Sequence, residues 1–419
     1  RITVGKKPVV ECSLITGAAL PDYPVGDLRE GFKDNGYRAD DSVTLMGWMK
    51  DMPAEAWEKG RSVEILRNNI FTDKQESFVA AMDSTGRFSV RVPLVNTSEI
   101  YIDIGRKGIN TVVEPGETYF LLHDFSTGHV LFMGEDVRFQ NELQTHPPLY
   151  VDGYLRKGQG TVDEFRTQME DKYRHAVEEL SRRVEAHPHL SRRYRYFMES
   201  FALTGLGRSM MQARFAVPDW QLPEDYVDFV RTKVWQRPSK PYTLCQNFGI
   251  LMRDYIGHSS KAKDKARGNA VFNAFKRLRQ QGEISMTEEE ANTVEAYRLA
   301  IKELQEKLNA EPSDSLRQRM VVEFGKSDLG QRFISLFKRF EDVLNEEVLA
   351  DNIDFWKENA ESAGCDSILC QIHLARNLYR QIDNIRKPLP DRMMAKAERE
   401  IRLEGGWDIV SREQEKYVA

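Results

Sequence analysis

Four cysteines, Cys12, Cys245, Cys365 and Cys370, are the residues best suited to redox or metal chemistry in this 419-residue chain. No two of them form the Cys-x-x-Cys pair that dithiol exchange and most zinc ribbons need. Cys365 and Cys370 are five positions apart. On one continuous helix that spacing sets them about 140° apart around the axis, a poor geometry for a disulfide. A bridge becomes feasible if Cys365 lies outside the helix, which Gly364 permits. Two readings stand: buried free thiols, or a bridged or redox-active pair.

The eight histidines are scattered. Only His187-Pro188-His189 sets two close together, with Glu185 beside them. A metal would need further ligands at fixed distance, and a helix–helix corner bearing two exposed imidazoles explains the pair as well. His123, Asp124 and His129 could meet across a hairpin, as a site or as plain exposed polar residues. Gly325-Lys326-Ser327 is like the end of a phosphate-binding loop, but that loop needs Gly where Met320 stands. Gly325 reads instead as a helix C-cap and Ser327 as the next N-cap. Gly205-Leu206-Gly207 lies inside a helical pattern with no strand before it, so close helix packing is expected rather than a dinucleotide loop. No Gly-x-Ser-x-Gly elbow occurs, and among 65 acidic residues a glycosidase pair cannot be picked by spacing. Trp48, Trp57, Tyr101 and Tyr119 are either packing residues or an exposed platform for a sugar or peptide. No residue is assigned a catalytic, cofactor-binding or metal-binding role.

The elements that would position these groups change character near Gly134. Before it, short strands alternate with turns about every ten residues, the pattern of a β-sandwich. Strands are expected at Ser42–Met49, Arg61–Arg67, Ser77–Met82, Arg87–Val92, Ile109–Val113, Thr118–His123 and Val130–Met133, with another at Ile2-Thr3-Val4. Asp83-Ser84-Thr85-Gly86 suits a type I turn closed by a left-handed Gly and predicts a hairpin between the strands beside it. Glu114-Pro115-Gly116-Glu117 has the type II pattern, and Ser126-Thr127-Gly128 starts a last hairpin.

After Gly134 the period is helical. Phe165, Met169, Tyr173, Ala176, Leu180 and Val184 line one face, and Thr161 with Glu164 is a capping box. Further helices are expected at about 192–215, 223–235, 244–255, 262–281, 287–309, 314–324, 331–349, 366–382 and 391–403. Residues 256–311 could form an exposed antiparallel pair of oppositely charged helices, or a solvated pair on the bundle surface. The expected fold is α+β and segregated: an N-terminal strand and linker over 1–40, an antiparallel β-sandwich over 41–135, and an irregular all-α bundle over 136–419.

The net charge of −5 sits in the first part, where residues 1–135 carry 15 basic and 20 acidic groups. The remainder is balanced, so the basic excess that neutralises phosphates is missing and a nucleic-acid partner is excluded. No apolar run approaches the ~20 residues of a membrane-spanning helix. The abrupt ends, Arg1 without Met and Lys416-Tyr417-Val418-Ala419 without a cap, read as cuts inside a longer protein, from which an export signal could have been removed.

Five stretches form an ordered set: Met82-Asp83-Ser84-Thr85-Gly86-Arg87-Phe88, Pro93-Leu94, Val113-Glu114-Pro115-Gly116-Glu117-Thr118-Tyr119, Phe132-Met133-Gly134 and Gln140-Asn141-Glu142-Leu143. In order and spacing the set resembles the N-terminal region of envelope thioredoxin-like thiol–disulfide oxidoreductases of Gram-negative anaerobic bacteria. The match covers about Asp40 to Leu143 by motif and the helical rest by layout. In that family a β-domain and a helical stretch precede a thioredoxin domain with Trp-Cys-x-x-Cys. That dithiol is absent here, so no catalytic residue carries over.

The resemblance implies a non-catalytic accessory region in the periplasm or cell envelope, with a C-terminal thioredoxin domain, absent from this chain, as partner. It would position that domain, help it to form a homodimer, or select its protein substrates. Two rivals belong to other classes. One is a stand-alone envelope module binding a peptide or glycan. The other is an enzyme whose site is assembled from scattered residues, which would need a deep polar pocket with convergent titratable groups.

Overall fold

The computed structural model describes residues 29–104, 108–134, 136–266 and 269–418. Cys12 and the strand expected at residues 2–4 lie outside them. The chain is segregated as its periodicity predicts: eight strands, then a long run of helices.

The strands are β1 (Ser42–Lys50), β2 (Ser62–Asn69), β3 (Lys74–Ala81), β4 (Arg87–Pro93), β5 (Ser98–Asp103), β6 (Gly108–Val113), β7 (Thr118–Asp124) and β8 (His129–Met133), with a short helix α1 (Ala54–Lys59) after β1. They form two four-stranded sheets, ordered β4-β1-β7-β8 and β3-β2-β5-β6. Alternate residues of both sheets turn inward to one core. Val43, Leu45, Val63, Ile65, Ile102 and Leu121 are among its fully buried members. Pairing is antiparallel except between β1 and β7, which run parallel with Leu45 opposite Tyr119.

The hairpin expected around Asp83–Gly86 is a correction. The turn itself forms as read: Gly86 has φ +81°, and its N–H donates to the Asp83 carbonyl at 3.0 Å. The two strands it joins do not pair. β3 pairs with β2 and β4 with β1, so the turn carries the chain from one sheet to the other. Glu114–Glu117 does the same between β6 and β7, while β7 and β8 form a true hairpin.

The helices are α2 (Arg138–Thr145), α3 (Val162–Ala186), α4 (Arg192–Gln212), α5 (Glu224–Val230), α6 (Phe248–Ala266), α7 (Ala270–Gln280), α8 (Glu288–Ala310), α9 (Asp314–Lys326), α10 (Asp328–Arg339), α11 (Glu341–Ser362), α12 (Ser367–Ile385), α13 (Asp391–Glu400) and α14 (Glu404–Glu415). The Thr161–Glu164 capping box starts α3, and a second, Thr287–Glu290, starts α8. Several expected helices are redrawn. The runs 244–255 and 262–281 are not divided at 256–261: α6 continues to Ala266, and α7 begins at Ala270. The run 331–349 breaks at Phe340, whose ring turns in beside Phe275 at 6.4 Å, and α11 then continues to Ser362. The run 391–403 stops at Glu400, and α14 begins beyond it. The pair expected over 256–311 is no bare hairpin. Its α7 and α8 bury Phe272, Phe275 and Val294 with Phe333 of α10 in a core of their own. No helix among the described residues is long and apolar enough to cross a membrane.

Candidate functional site

Sandwich and helices share buried polar contacts, and these use the residues of the ordered motif set. Glu114 is fully buried and pairs at 2.9 Å with Arg193 of α4, also fully buried. The Arg193 guanidinium lies against the rings of Phe32 and Phe139, 4.7 and 5.3 Å from their centroids, and the two rings meet edge-on at 5.0 Å. Arg29 at 3.0 Å and the Lys33 N–H at 2.8 Å complete the Glu114 carboxylate. A buried carboxylate needs this full set, because burial without partners costs several kcal/mol.

Asn141 of α2 acts as a mock strand residue. Its side chain accepts from the Phe132 N–H and donates to the Phe132 carbonyl, both at 2.8 Å. Gln140 donates to the Val112 carbonyl at 2.8 Å, and Glu142 accepts from the Ser191 N–H at the start of α4 at 2.9 Å. Further along, Arg376 of α12 is buried and donates to the carbonyls of Ile70 and Gly249 at 2.9 and 2.8 Å. Of the motif residues, Glu114, Gln140 and Asn141 thus join the two parts, and Glu142 ties α2 to the start of α4.

A cleft of about 810 Å³ opens in the helical region between α5, α6 and the end of α11. Residues 231–235 continue α5 as a π-turn, in which Gln236 N–H donates to the Arg231 carbonyl at 3.1 Å. Such turns occur mostly as single bulges, frequently at functional sites. This one turns both Arg231 and Trp235 to the cleft. Trp235 stacks on Tyr255 at 4.5 Å and donates its indole N–H to the Ala363 carbonyl at 2.7 Å. Burial pushes the Tyr255 phenol up to about 12, so it stays a neutral donor. Arg231 is tied to Asp228 at 2.6 Å, and Glu224, His258 and Ser259 supply the other polar groups.

Next to the cleft, Trp220 stands half-exposed with φ +56°, a left-handed backbone that only a few non-glycine residues adopt. It stacks edge-on against exposed Phe215 at 5.4 Å. Trp235 and Tyr255 are buried in the cleft wall, with Trp235 stacked on Phe248 as well, so the groups open to a bound chain are Arg231, Glu224, His258 and Ser259 with the exposed Phe215–Trp220 pair beside them.

Beside the cleft wall, α11 ends in a Schellman turn. Gly364 has φ +75°, its N–H donates to Glu361, and Cys365 N–H donates to Ala360 at 3.0 Å. Asp366 then caps α12 by accepting from Leu369 N–H at 2.9 Å. Cys365 therefore lies between two helices, and the 140° separation of a continuous helix does not apply. The Cys370 thiol donates to the Cys365 carbonyl oxygen at 3.7 Å, and each thiol shifts the titration of the other, Cys370 downward and Cys365 upward. Both are half-buried and free, whereas Cys245 is a buried free thiol pushed up by desolvation.

The other candidates resolve as follows. His187 and His189 are joined by His146, with ring centroids 4.5 Å and 5.8 Å apart in sequence along the trio. Burial first, then the neighbouring His187, holds His146 below its usual range. Among the described residues no group of three or more His, Cys, Asp or Glu is arranged to hold a metal. His123 is buried against Phe125, while Asp124 pairs with Lys50 at 2.6 Å, so no His–Asp site forms across the hairpin. Gly325 lies within α9, and Ser327 caps α10. Gly205 and Gly207 allow close packing, since a Cβ there would sit 2.6 Å from the Val151 oxygen and 2.8 Å from Val234. Trp48 lies under Arg87 at 4.4 Å, Tyr119 is in the core, and Tyr101 projects from the other sheet against Gly108. Trp57 is half-buried on α1, so the four aromatics make no common platform. Sequence reasoning missed Trp235, Tyr255 and Arg231, whose helical spacing alone marks two of them as packing residues.

Compared with known protein families, with characterised proteins and with solved structures, the chain matches none.

Proposed function

We propose that this chain is a non-catalytic accessory region of an envelope thiol–disulfide oxidoreductase, exported to the periplasm or cell envelope, that positions a thioredoxin domain and selects its protein substrates. One observation carries the reading: Glu114, Gln140 and Asn141, which belong to the motif set resembling that family, join the sandwich to the helices. A platform that holds other parts in place needs that kind of joint. The cleft beside Trp235 is where an unfolded substrate segment would lie. The deciding experiment is to sequence the gene on both sides of these residues. A Trp-Cys-x-x-Cys module downstream with an export signal upstream supports the reading. A stop codon directly after Ala419 overturns it.

The second reading is a stand-alone envelope module that binds peptides, favoured by the polar cleft with its π-turn and by the exposed Phe215–Trp220 pair beside it. Titration with unfolded, cysteine-free peptides should quench tryptophan fluorescence, and Trp220→Ala should weaken the response. Unchanged fluorescence across a varied peptide set counts against it.

A further inference from the structure

We propose that Cys365 and Cys370 are a redox-active dithiol, which closes reversibly to an intramolecular disulfide by exchange with a dialkyl disulfide. The inference stands apart from the accessory reading, because the exchange is a property of this chain alone.

The geometry assigns the pair, and the groups around each sulfur separate their roles. Gly364 in the left-handed region ends α11, which lifts Cys365 off the helix and brings its carbonyl within 3.7 Å of the Cys370 thiol in the first turns of α12. The flanking Glu361, Gly364, Asp366 and Ser367 are exposed, so a reagent can approach. The Cys370 S–H donates to the Cys365 carbonyl at 3.7 Å, so its sulfur lies against the residue that carries the second thiol. The neighbouring Cys365 thiol holds Cys370 below the ordinary thiol range, and Cys370 pushes Cys365 up. Lys357 favours the Cys370 thiolate, while Glu361 and Asp366 oppose it. Cys370 is therefore the attacking sulfur and Cys365 the resolving one.

The balance is simple. The Cys370 thiolate attacks one sulfur of the incoming disulfide, whose S–S bond breaks, and the electron pair leaves on a thiolate that takes up a proton. Cys365 then loses its proton and attacks Cys370 in the mixed disulfide, releasing the second thiol. Two protein thiols are oxidised by two electrons, and one disulfide is reduced to two thiols. The new bond spans the joint whose Ala363 carbonyl holds Trp235 and whose Asp366 carboxylate accepts from Tyr242 at 2.5 Å. The cleft wall thus reports the redox state.

The test equilibrates the reduced full chain with glutathione and its disulfide at graded ratios, then quenches, alkylates and maps the thiols by mass. The expected result is a Cys365–Cys370 bridge that forms and reverses with the ratio, with Cys245 still alkylated after unfolding. Cys365→Ser should accumulate one glutathionyl group on Cys370, about tenfold faster than Cys365 is modified in Cys370→Ser. Both thiols remaining alkylatable at every ratio would overturn the proposal, as would bridging of either one to Cys12. Equal rates in the two serine variants would overturn the assignment of attacking and resolving sulfur.

Discussion

Glu99 supplies the sharpest prediction. It lies in β5, fully buried, with its carboxylate facing the start of α6. It accepts from the Gln246 N–H at 2.9 Å and from the Gln246 side chain at 3.4 Å. No cation is among the groups that set its titration. Desolvation outweighs both hydrogen bonds and pushes the acid from 4.5 up to about 7. In the unfolded chain Glu99 ionises near its ordinary value, so between pH 4.5 and 7 the folded state holds the extra proton. Stability falls as pH rises wherever the folded state binds more protons. The 2.5-unit gap between 4.5 and 7 corresponds to a loss of about 3 kcal/mol, complete above pH 7 and absent below 4.5.

Glu99→Gln keeps an oxygen for the Gln246 N–H and cannot ionise. The stability advantage of the variant over the parent should therefore be near zero at pH 4 and grow to about 3 kcal/mol by pH 8. Taking the difference matters, because other groups titrate in the same window with opposite sign. Burial holds His373 down at about 3, so its contribution is lost as pH falls below 6.5. Cys245 and Tyr150, near Glu99, are both pushed up and stay neutral throughout. Urea unfolding of both proteins at pH 4, 5, 6, 7 and 8 measures the difference. A difference that stays flat with pH would refute the reasoning, since it would mean that Glu99 ionises as readily folded as unfolded.

Three further predictions test the joint between the parts. Arg193→Met removes the fully buried one of the two cations on Glu114, leaving Arg29, and should cost about 3 kcal/mol by urea unfolding, part of which Glu114→Gln should restore in the double variant. Asn141→Ala removes both hydrogen bonds to Phe132 and should cost about 2 to 3 kcal/mol, with faster hydrogen exchange at the Phe132 amide. Arg386, exposed at the end of α12, has φ +51°, so Arg386→Gly should raise the thermal midpoint through a gain of about 1 kcal/mol.

Much of the fold was legible because local chemistry decides it. The alternation Phe88, Val90, Val92 marks a strand, Thr161 with Glu164 marks a helix start, and Gly116 at φ +79° fits its turn. What a turn cannot encode is which strand its neighbours will pair with. Asp83–Gly86 folds as its residues dictate, yet β4 finds β1 because the inward faces of two sheets must meet. Strand β5 was invisible since Ser98, Glu99 and Ile100 are all buried, which erases the alternation. Helix α14 was hidden by Gly405-Gly406, a poor helix signal. The structure uses it for close approach: Gly405 N–H donates to the Tyr37 carbonyl at 2.7 Å, where a Cβ would sit 2.9 Å from the same oxygen. The cleft could not be read either, because a π-turn leaves no composition mark and His146 reaches His187 only through the tertiary fold.

A resemblance built from turns and interfaces argues for shared architecture before shared chemistry. Asp83 accepts from the N–H groups of Thr85 and Arg87 at 2.8 and 3.0 Å, which fixes its turn and nothing else. Glu114, Gln140 and Asn141 are spent on the joint, and Glu142 on holding α2 to α4. Each is held by partners that a change of reaction would leave untouched, so the motif set constrains how the sandwich meets the helices and is silent on what the molecule acts upon. The groups able to act lie where the motifs do not reach: the cleft at Trp235 and Arg231, and the thiols on either side of Asp366. Both sit on the α11–α12 joint, tied to it through Ala363 and Asp366. A partner that fills the cleft meets Ser362, Ala363 and Gly364, the residues that lead into Cys365, so a ligand seated there should change the rate of thiol exchange, and an unchanged rate at saturating ligand would separate the two.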